Sequence, residues 1–270
     1  MPIENAKRKN MDSSAKTLML NESLCMFRRT CGVIMALLGV ICLYPTTVRA
    51  QEVGAPETIS SFTTTLTLDR GGRLFVQEDI VYDFGGQERH GLVRDLPVAY
   101  KKNPLLLHVL RTEIQDVTVD GQPVPYARAR QGDDIVLTIG DPSKIVRGKH
   151  TYRISYAVDR ALNRVDNEVE LYWNAIGTGW VVPIASSSVV VRLPKEAGNA
   201  ARFRCFVGML GSTSTCAQGV RDGALLRASS PHELVAGEAF TVVVRVPSDS
   251  IRDYSWQRRF IWFMQDNYLV

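Results

Sequence analysis

The sequence predicts an all-β fold, an antiparallel β-sandwich of about ten strands preceded by a signal-peptide helix. Short segments that alternate apolar with polar residues recur every ten to fifteen residues or so after the first fifty. Gly, Pro and Asp-Gly turns separate them. Past the leader, no window of about a dozen residues carries a helical period.

Arg28 and Arg29 precede an apolar run, residues 31–44, which leads to Pro45 and the small-residue site Val48-Arg49-Ala50. These are the basic, apolar and cleavage parts of a secretory signal. As a helix the run reaches about 21 Å, short of the ~30 Å hydrocarbon core, so cleavage after Ala50 is expected rather than retention as an anchor. The polar stretch before Met26 is long for a leader, and a start at Met26 gives one of ordinary size. The predicted organisation is a signal peptide at 1–50, a linker at 51–57, a β-domain at 58–247 and a tail at 248–270.

Within the domain, residues 59–68 and 74–84 flank the turn Asp69-Arg-Gly-Gly72 and read as a hairpin. Residues 113–119 lead through Asp120-Gly121 into 123–128, and 134–139 and 150–158 alternate. Later strands are expected at 168–173, 187–193, 202–207, 224–228 and 239–246. The tail mixes Tyr254, Trp256, Phe260, Trp262 and Phe263 with Arg258 and Arg259, as residues at a membrane–water boundary do. It is too short to span a bilayer; it lies on a membrane surface or extends the fold as a short helix.

The net charge of +4 does not mark a nucleic-acid binder. Seven Lys/Arg and three acids fall in the first fifty residues; removing them from 32 basic and 28 acidic residues leaves 25 of each. The remainder has no basic block with interleaved aromatics. Cys25, Cys31 and Cys42 lie in the leader, and the mature part keeps Cys205 and Cys216. An even pair around a Gly/Ser/Thr-rich turn suits a disulfide in an oxidising compartment.

Arg89-His90-Gly91 resembles the opening of histidine phosphatases, but Arg94 and Pro97 miss the acid-phosphatase spacing Arg-His-Gly-x-Arg-x-Pro. The plainer expectation is a loop in which Asp83, Arg89, Arg94 and Asp95 pair their charges and His90 contributes a hydrogen bond. The four histidines show no ligand spacing, and Asp159, Asp166, Glu168 and Glu170 lack an EF-hand pattern, so neither a metal nor a cofactor is expected. A Gly-x-Ser-x-Gly elbow is absent from the sequence. Tyr172, Trp173 and Trp180 form the densest aromatic group: a platform for sugar or peptide if exposed, core if they alternate inward.

Several blocks together resemble the N-terminal domain of the domain-of-unknown-function 2207 family of predicted membrane proteins. They are Tyr82-Asp-Phe-Gly-Gly86, Arg89-His-Gly91, Arg94-Asp-Leu-Pro97, Ile139-Gly-Asp-Pro142, Gly148-Lys-His-Thr-Tyr152, Glu170-Leu-Tyr-Trp-Asn174 and Gly177-Thr-Gly-Trp180 with Pro183. The resemblance implies an extracytoplasmic β-rich domain behind a signal sequence, normally followed by transmembrane helices, and implies no activity. The helices that the family places next are missing after Val246. The expected protein is thus exported, periplasmic or on the cell surface, and a non-catalytic binding or structural module. Its expected partner is a protein or glycan of the cell envelope, with membrane association through the N-terminal segment or the tail. The alternatives are a hydrolase using Arg89, His90 and Arg94, and a truncated ectodomain of a polytopic signalling or transport protein.

Overall fold

Strands β1 (Thr58–Leu68) and β2 (Leu74–Asp83) form the expected hairpin in the computed structural model, which describes residues 55–97, 99–103 and 106–268. The leader at 1–50 and residues 51–54 of the linker lie outside the described residues. The Asp69 carboxylate accepts the Arg73 N–H at 2.9 Å and closes the hairpin turn. Alternation along β1 buries Phe62, Thr64, Leu66 and Leu68 on one face.

This hairpin sits at the centre of an eight-stranded sheet. To one side lie β10 (Lys149–Asp159), β6 (Arg111–Val119) and β7 (Gln122–Pro123); to the other lie β13 (Ser187–Arg192), β16 (Leu225–Ser229) and β15 (Ala217–Asp222). The sheet is mixed, because β1 and β13 run parallel from Phe62↔Ser187 to Thr67↔Arg192. The purely antiparallel expectation is corrected here. A parallel pair needs a long crossover, and the chain between β1 and β13 builds much of the rest of the fold.

A second sheet runs β11 (Leu162–Val165), β12 (Glu168–Ile176), β17 (Ala239–Pro247), β14 (Arg202–Gly208). Three further strands, β3 (Gly91–Pro97), β9 (Asp134–Gly140) and β8 (Tyr126–Gln131), form a small antiparallel sheet, and β4 (Ala99–Asn103) pairs with β5 (Leu106–Val109). One core cluster joins Phe62, Ile80 and Ile154 of the large sheet to Leu171, Val242 and Val244 of the second and Leu137 and Ile139 of the third. Full burial of such side chains contributes about 1.5–3 kcal/mol each. The Thr64 hydroxyl, at 0% exposure, donates to the Ala175 carbonyl at 2.8 Å and so ties β1 to β12.

Two motif glycines explain one another. Gly91 of β3 pairs with Gly140 of β9, both at positive φ (143° and 137°). A Cβ on Gly91 would stand 1.9 Å from the Ile139 carbonyl oxygen, and one on Gly140 2.1 Å from that of His90. Only glycine allows so close a crossing of backbones. Cys205 of β14 is disulfide-bonded to Cys216, with Cα atoms 5.5 Å apart.

The tail folds as helix α1 (Trp256–Asn267), whose first turn is capped by Ser255 accepting the Arg258 N–H at 3.4 Å. Buried Asp266 accepts from Arg111 Nη2 at 2.5 Å and pairs with Arg160. The Tyr254 and Trp262 rings meet edge to face, 4.9 Å apart. One side of the helix is therefore fastened to the domain, while Trp256, Phe260 and Ile261 remain exposed. No helix among the described residues is long and apolar enough to cross a membrane.

Candidate functional site

Alternation in β2 puts Leu74, Val76, Glu78, Ile80 and Tyr82 on the buried face, so a carboxylate is carried into the interior. In β3 the same alternation turns Leu92, Arg94 and Leu96 inward and Val93 and Asp95 outward. The two buried charges meet. Arg94 Nε donates to Glu78 Oε2 and Arg94 Nη2 to Glu78 Oε1, each at 2.7 Å, a bidentate pair with side-chain exposures of 6% and 1%. The Tyr156 hydroxyl donates to Glu78 Oε1 at 2.9 Å, and Arg94 Nη1 donates to the Asp95 carbonyl at 2.6 Å. Burial opposes the guanidinium's charge, yet Glu78 alongside holds Arg94 above its ordinary range.

Above this pair opens a cavity of about 440 Å³. Arg94, Leu96 and Tyr156 line it together with Tyr172, Trp173 and Asn174 of β12. Tyr172 is 55% exposed, and Asn174 accepts a hydrogen bond from the Thr241 hydroxyl at 2.8 Å. The three rings divide between the two alternatives: Trp180 is buried, edge to face with Phe62 at 5.5 Å and under the Arg94 guanidinium at 5.5 Å. Two aromatics border the cavity and the third belongs to the core.

The Arg89–His90–Arg94 string does not converge. Arg89 Nε donates to Glu57 Oε1 at 2.6 Å, His90 Nδ1 lies 2.9 Å from the Lys144 carbonyl, and Arg94 is held by Glu78. The charge-paired loop is corrected as well. Arg94 leaves the loop acids because strand alternation turns it inward, Asp83 accepts the Gly85 N–H at 2.9 Å, and Asp95 is exposed. Of the clustered acids, Glu170 pairs with Arg245 at 2.6 Å, Glu168 with Arg202, and Asp159 accepts from Tyr254 at 3.1 Å. Sequence reasoning missed Glu78 and Tyr156, although Glu78 occupies an apolar phase of its strand, which is a readable signal.

Four tyrosines resist ionisation. Burial and then Glu78 raise Tyr156 well above its ordinary value. Burial and then Asp120 push Tyr152 up to about 12, and burial and then Asp159 do the same for Tyr254. Burial and the hydrogen bond to Glu57 raise Tyr82. Folded values above the unfolded value of about 10 give stability that is complete below pH ~10 and lost as pH rises through the folded values. In an alkaline titration, a late fraction of tyrosinate absorbance is expected to appear together with loss of near-UV circular dichroism. Complete ionisation near pH ~10 with the dichroism intact would contradict this burial.

Fold and cleft together define a mostly β domain, disulfide-bonded, with a cavity set over a buried ion pair. The chain belongs to the predicted membrane protein (DUF2207) N-terminal domain family, whose model matches residues 58–246. A comparison with curated proteins found no match. Among solved structures, an M1 zinc metallopeptidase from Deinococcus radiodurans is similar at 15% identity over 71% of this chain and 42% of that chain, with a TM-score of 0.42. Native leukotriene A4 hydrolase from Saccharomyces cerevisiae is similar at 11% identity over 77% of this chain and 32% of that one, with a TM-score of 0.44. This chain spans less than half the length of either, and likenesses this slight carry no activity across.

Proposed function

We propose that this chain is an exported, non-catalytic binding domain at the cell-envelope face of a membrane, a β-sandwich that takes its ligand at Tyr172 and Trp173. One observation carries the reading. Motif segments far apart in sequence meet in one cavity: Arg94-Asp-Leu-Pro97 supplies Arg94 and Leu96, and Glu170-Leu-Tyr-Trp-Asn174 supplies Glu170, Tyr172, Trp173 and Asn174. A volume of about 440 Å³ lies within the ~300–1,000 Å³ of small-ligand pockets, and apolar walls with a few polar groups are their usual chemistry. An apolar group of an envelope component would enter here. Because Glu78 already engages Arg94, the cavity offers recognition rather than a free charged reagent.

Export through a leader cleaved after Ala50 is supported by the disulfide, which persists in oxidising compartments. Membrane association is supported by the family and by helix α1, where exposed Trp256, Phe260 and Ile261 stand beside exposed Arg258 and Arg259. That mixture suits the headgroup region.

The test uses the mature chain and the uncharged apolar dye N-phenylnaphthylamine, followed by its fluorescence. Saturable binding is expected, weakened about tenfold or more by Tyr172→Ala with Trp173→Ala, and partly by the exposed Tyr172→Ala alone. Equal affinity in native and variant chains, or no saturable binding, would overturn the assignment.

A further inference from the structure

A second cleft, of about 350 Å³, lies against the first: Leu110 and Thr112 line both. Its chemistry is different. Arg73, Arg111, Arg128 and Arg130 line it with only Glu113 and Asp159, an excess of two positive charges.

The acids there are engaged. Glu113 pairs with Arg73, and Asp159 accepts from the Tyr254 hydroxyl at 3.1 Å. Arg111 donates through Nη2 to Asp266, which lies outside the cleft lining. The Nε atoms of Arg73 and Arg111 are buried without a hydrogen-bond partner among the described residues. Among the described residues, Arg130 donates only to the Gly132 carbonyl, at 3.3 Å, and Arg128 has no ion pair.

Edge protection explains part of this pattern. Strand β8 is an exposed edge strand, and charges along an edge discourage pairing with another chain. It accounts for Arg128 and Arg130 singly. It does not explain why Arg73, beside β2, and Arg111, at the start of β6, border the same hollow.

We infer that the arginine-lined cleft holds a phosphate group carried by an amphiphile whose apolar part fills the Tyr172–Trp173 cavity. A phosphate monoester brings close to two negative charges and three acceptor oxygens, matching an excess of two positive charges on guanidinium forks. A carboxylate would balance only half of that excess. The shared wall at Leu110 and Thr112 places the acidic head beside the apolar cavity. The apolar half rests on the binding function proposed above; the phosphate half rests on the arginines alone.

Titration calorimetry of the mature chain with inorganic phosphate, decyl phosphate and decanol tests both halves. Arg128→Ala with Arg130→Ala, on an exposed edge, leaves the core untouched. This variant is expected to weaken inorganic phosphate and decyl phosphate about tenfold or more while dye binding at Tyr172 and Trp173 stays unchanged. Decyl phosphate is expected to bind about tenfold tighter than either inorganic phosphate or decanol. Phosphate affinity unaffected by the arginine variant, with dye binding intact, overturns the phosphate site alone. Arginine-dependent phosphate binding with no dye binding overturns the apolar half and the function proposed for the cavity.

Discussion

Replacing Glu78 with alanine is expected to destabilise the domain by about 3–5 kcal/mol, the usual cost of leaving the other half of a buried ion pair without its partner. Arg94 would remain at 6% side-chain exposure with one carbonyl acceptor, at Asp95. The Tyr156 hydroxyl would lose its acceptor as well. The cost belongs to the orphaned charge, not to the pair. Glu78→Leu combined with Arg94→Met is therefore expected to recover most of the loss, and can equal the native chain. Urea unfolding with an unchanged slope measures both. A shift of less than about 1 kcal/mol for Glu78→Ala would mean that Arg94 swings to water, and that the cavity has no fixed polar floor.

The disulfide supplies the second large effect. Replacing Cys205 and Cys216 together by alanine is expected to cost about 3 kcal/mol, since the bridge closes a short loop that the unfolded chain must otherwise order. Its sequence separation is 11, and both cysteines are buried, so alanine adds no unsatisfied polar atom. The loop is also held by the Cys216 N–H donating to the Cys205 carbonyl at 3.3 Å and by a bridge between Phe206 and Thr215. The strand pairing of β14 with β17 should accordingly survive in the variant. Equal urea midpoints for the oxidised native chain and the double variant would show that the bridge does not constrain the unfolded state.

The long strands were legible because their alternation is clean: β1, β2, β10, β13 and β17 lie where the pattern places them. Strands β3, β4, β5, β11 and β15 were not. Four residues of β11 are too few to show a period, and β15 (Ala-Gln-Gly-Val-Arg-Asp) is a sheet edge with little apolar surface to mark it. β3 hid behind its charges, since Arg94 and Asp95 read as loop residues. Yet Leu92, Arg94 and Leu96 keep a strict two-residue period, as do Val76, Glu78 and Ile80. Two opposite charges on the apolar phases of two strands are a legible sign of a buried pair; which strands become neighbours is not. The parallel pairing of β1 with β13 is unreadable for the same reason, because alternation specifies a face, and a partner strand is legible only where a tight turn joins the two. Trp180 illustrates the remaining ambiguity: residue type and spacing describe a platform ring and a core ring alike.

Binding at the cell envelope requires the domain to fold outside the cytoplasm, and one measurement addresses that directly. The intact mass of the chain recovered from cells that make it naturally, taken after alkylation without reduction, reports the leader and the thiols together. Export predicts a mature chain that begins at Gln51 and carries no alkyl group, with Cys205 and Cys216 joined. A chain that keeps residues 1–50 and carries alkyl groups on both Cys205 and Cys216 would contradict it.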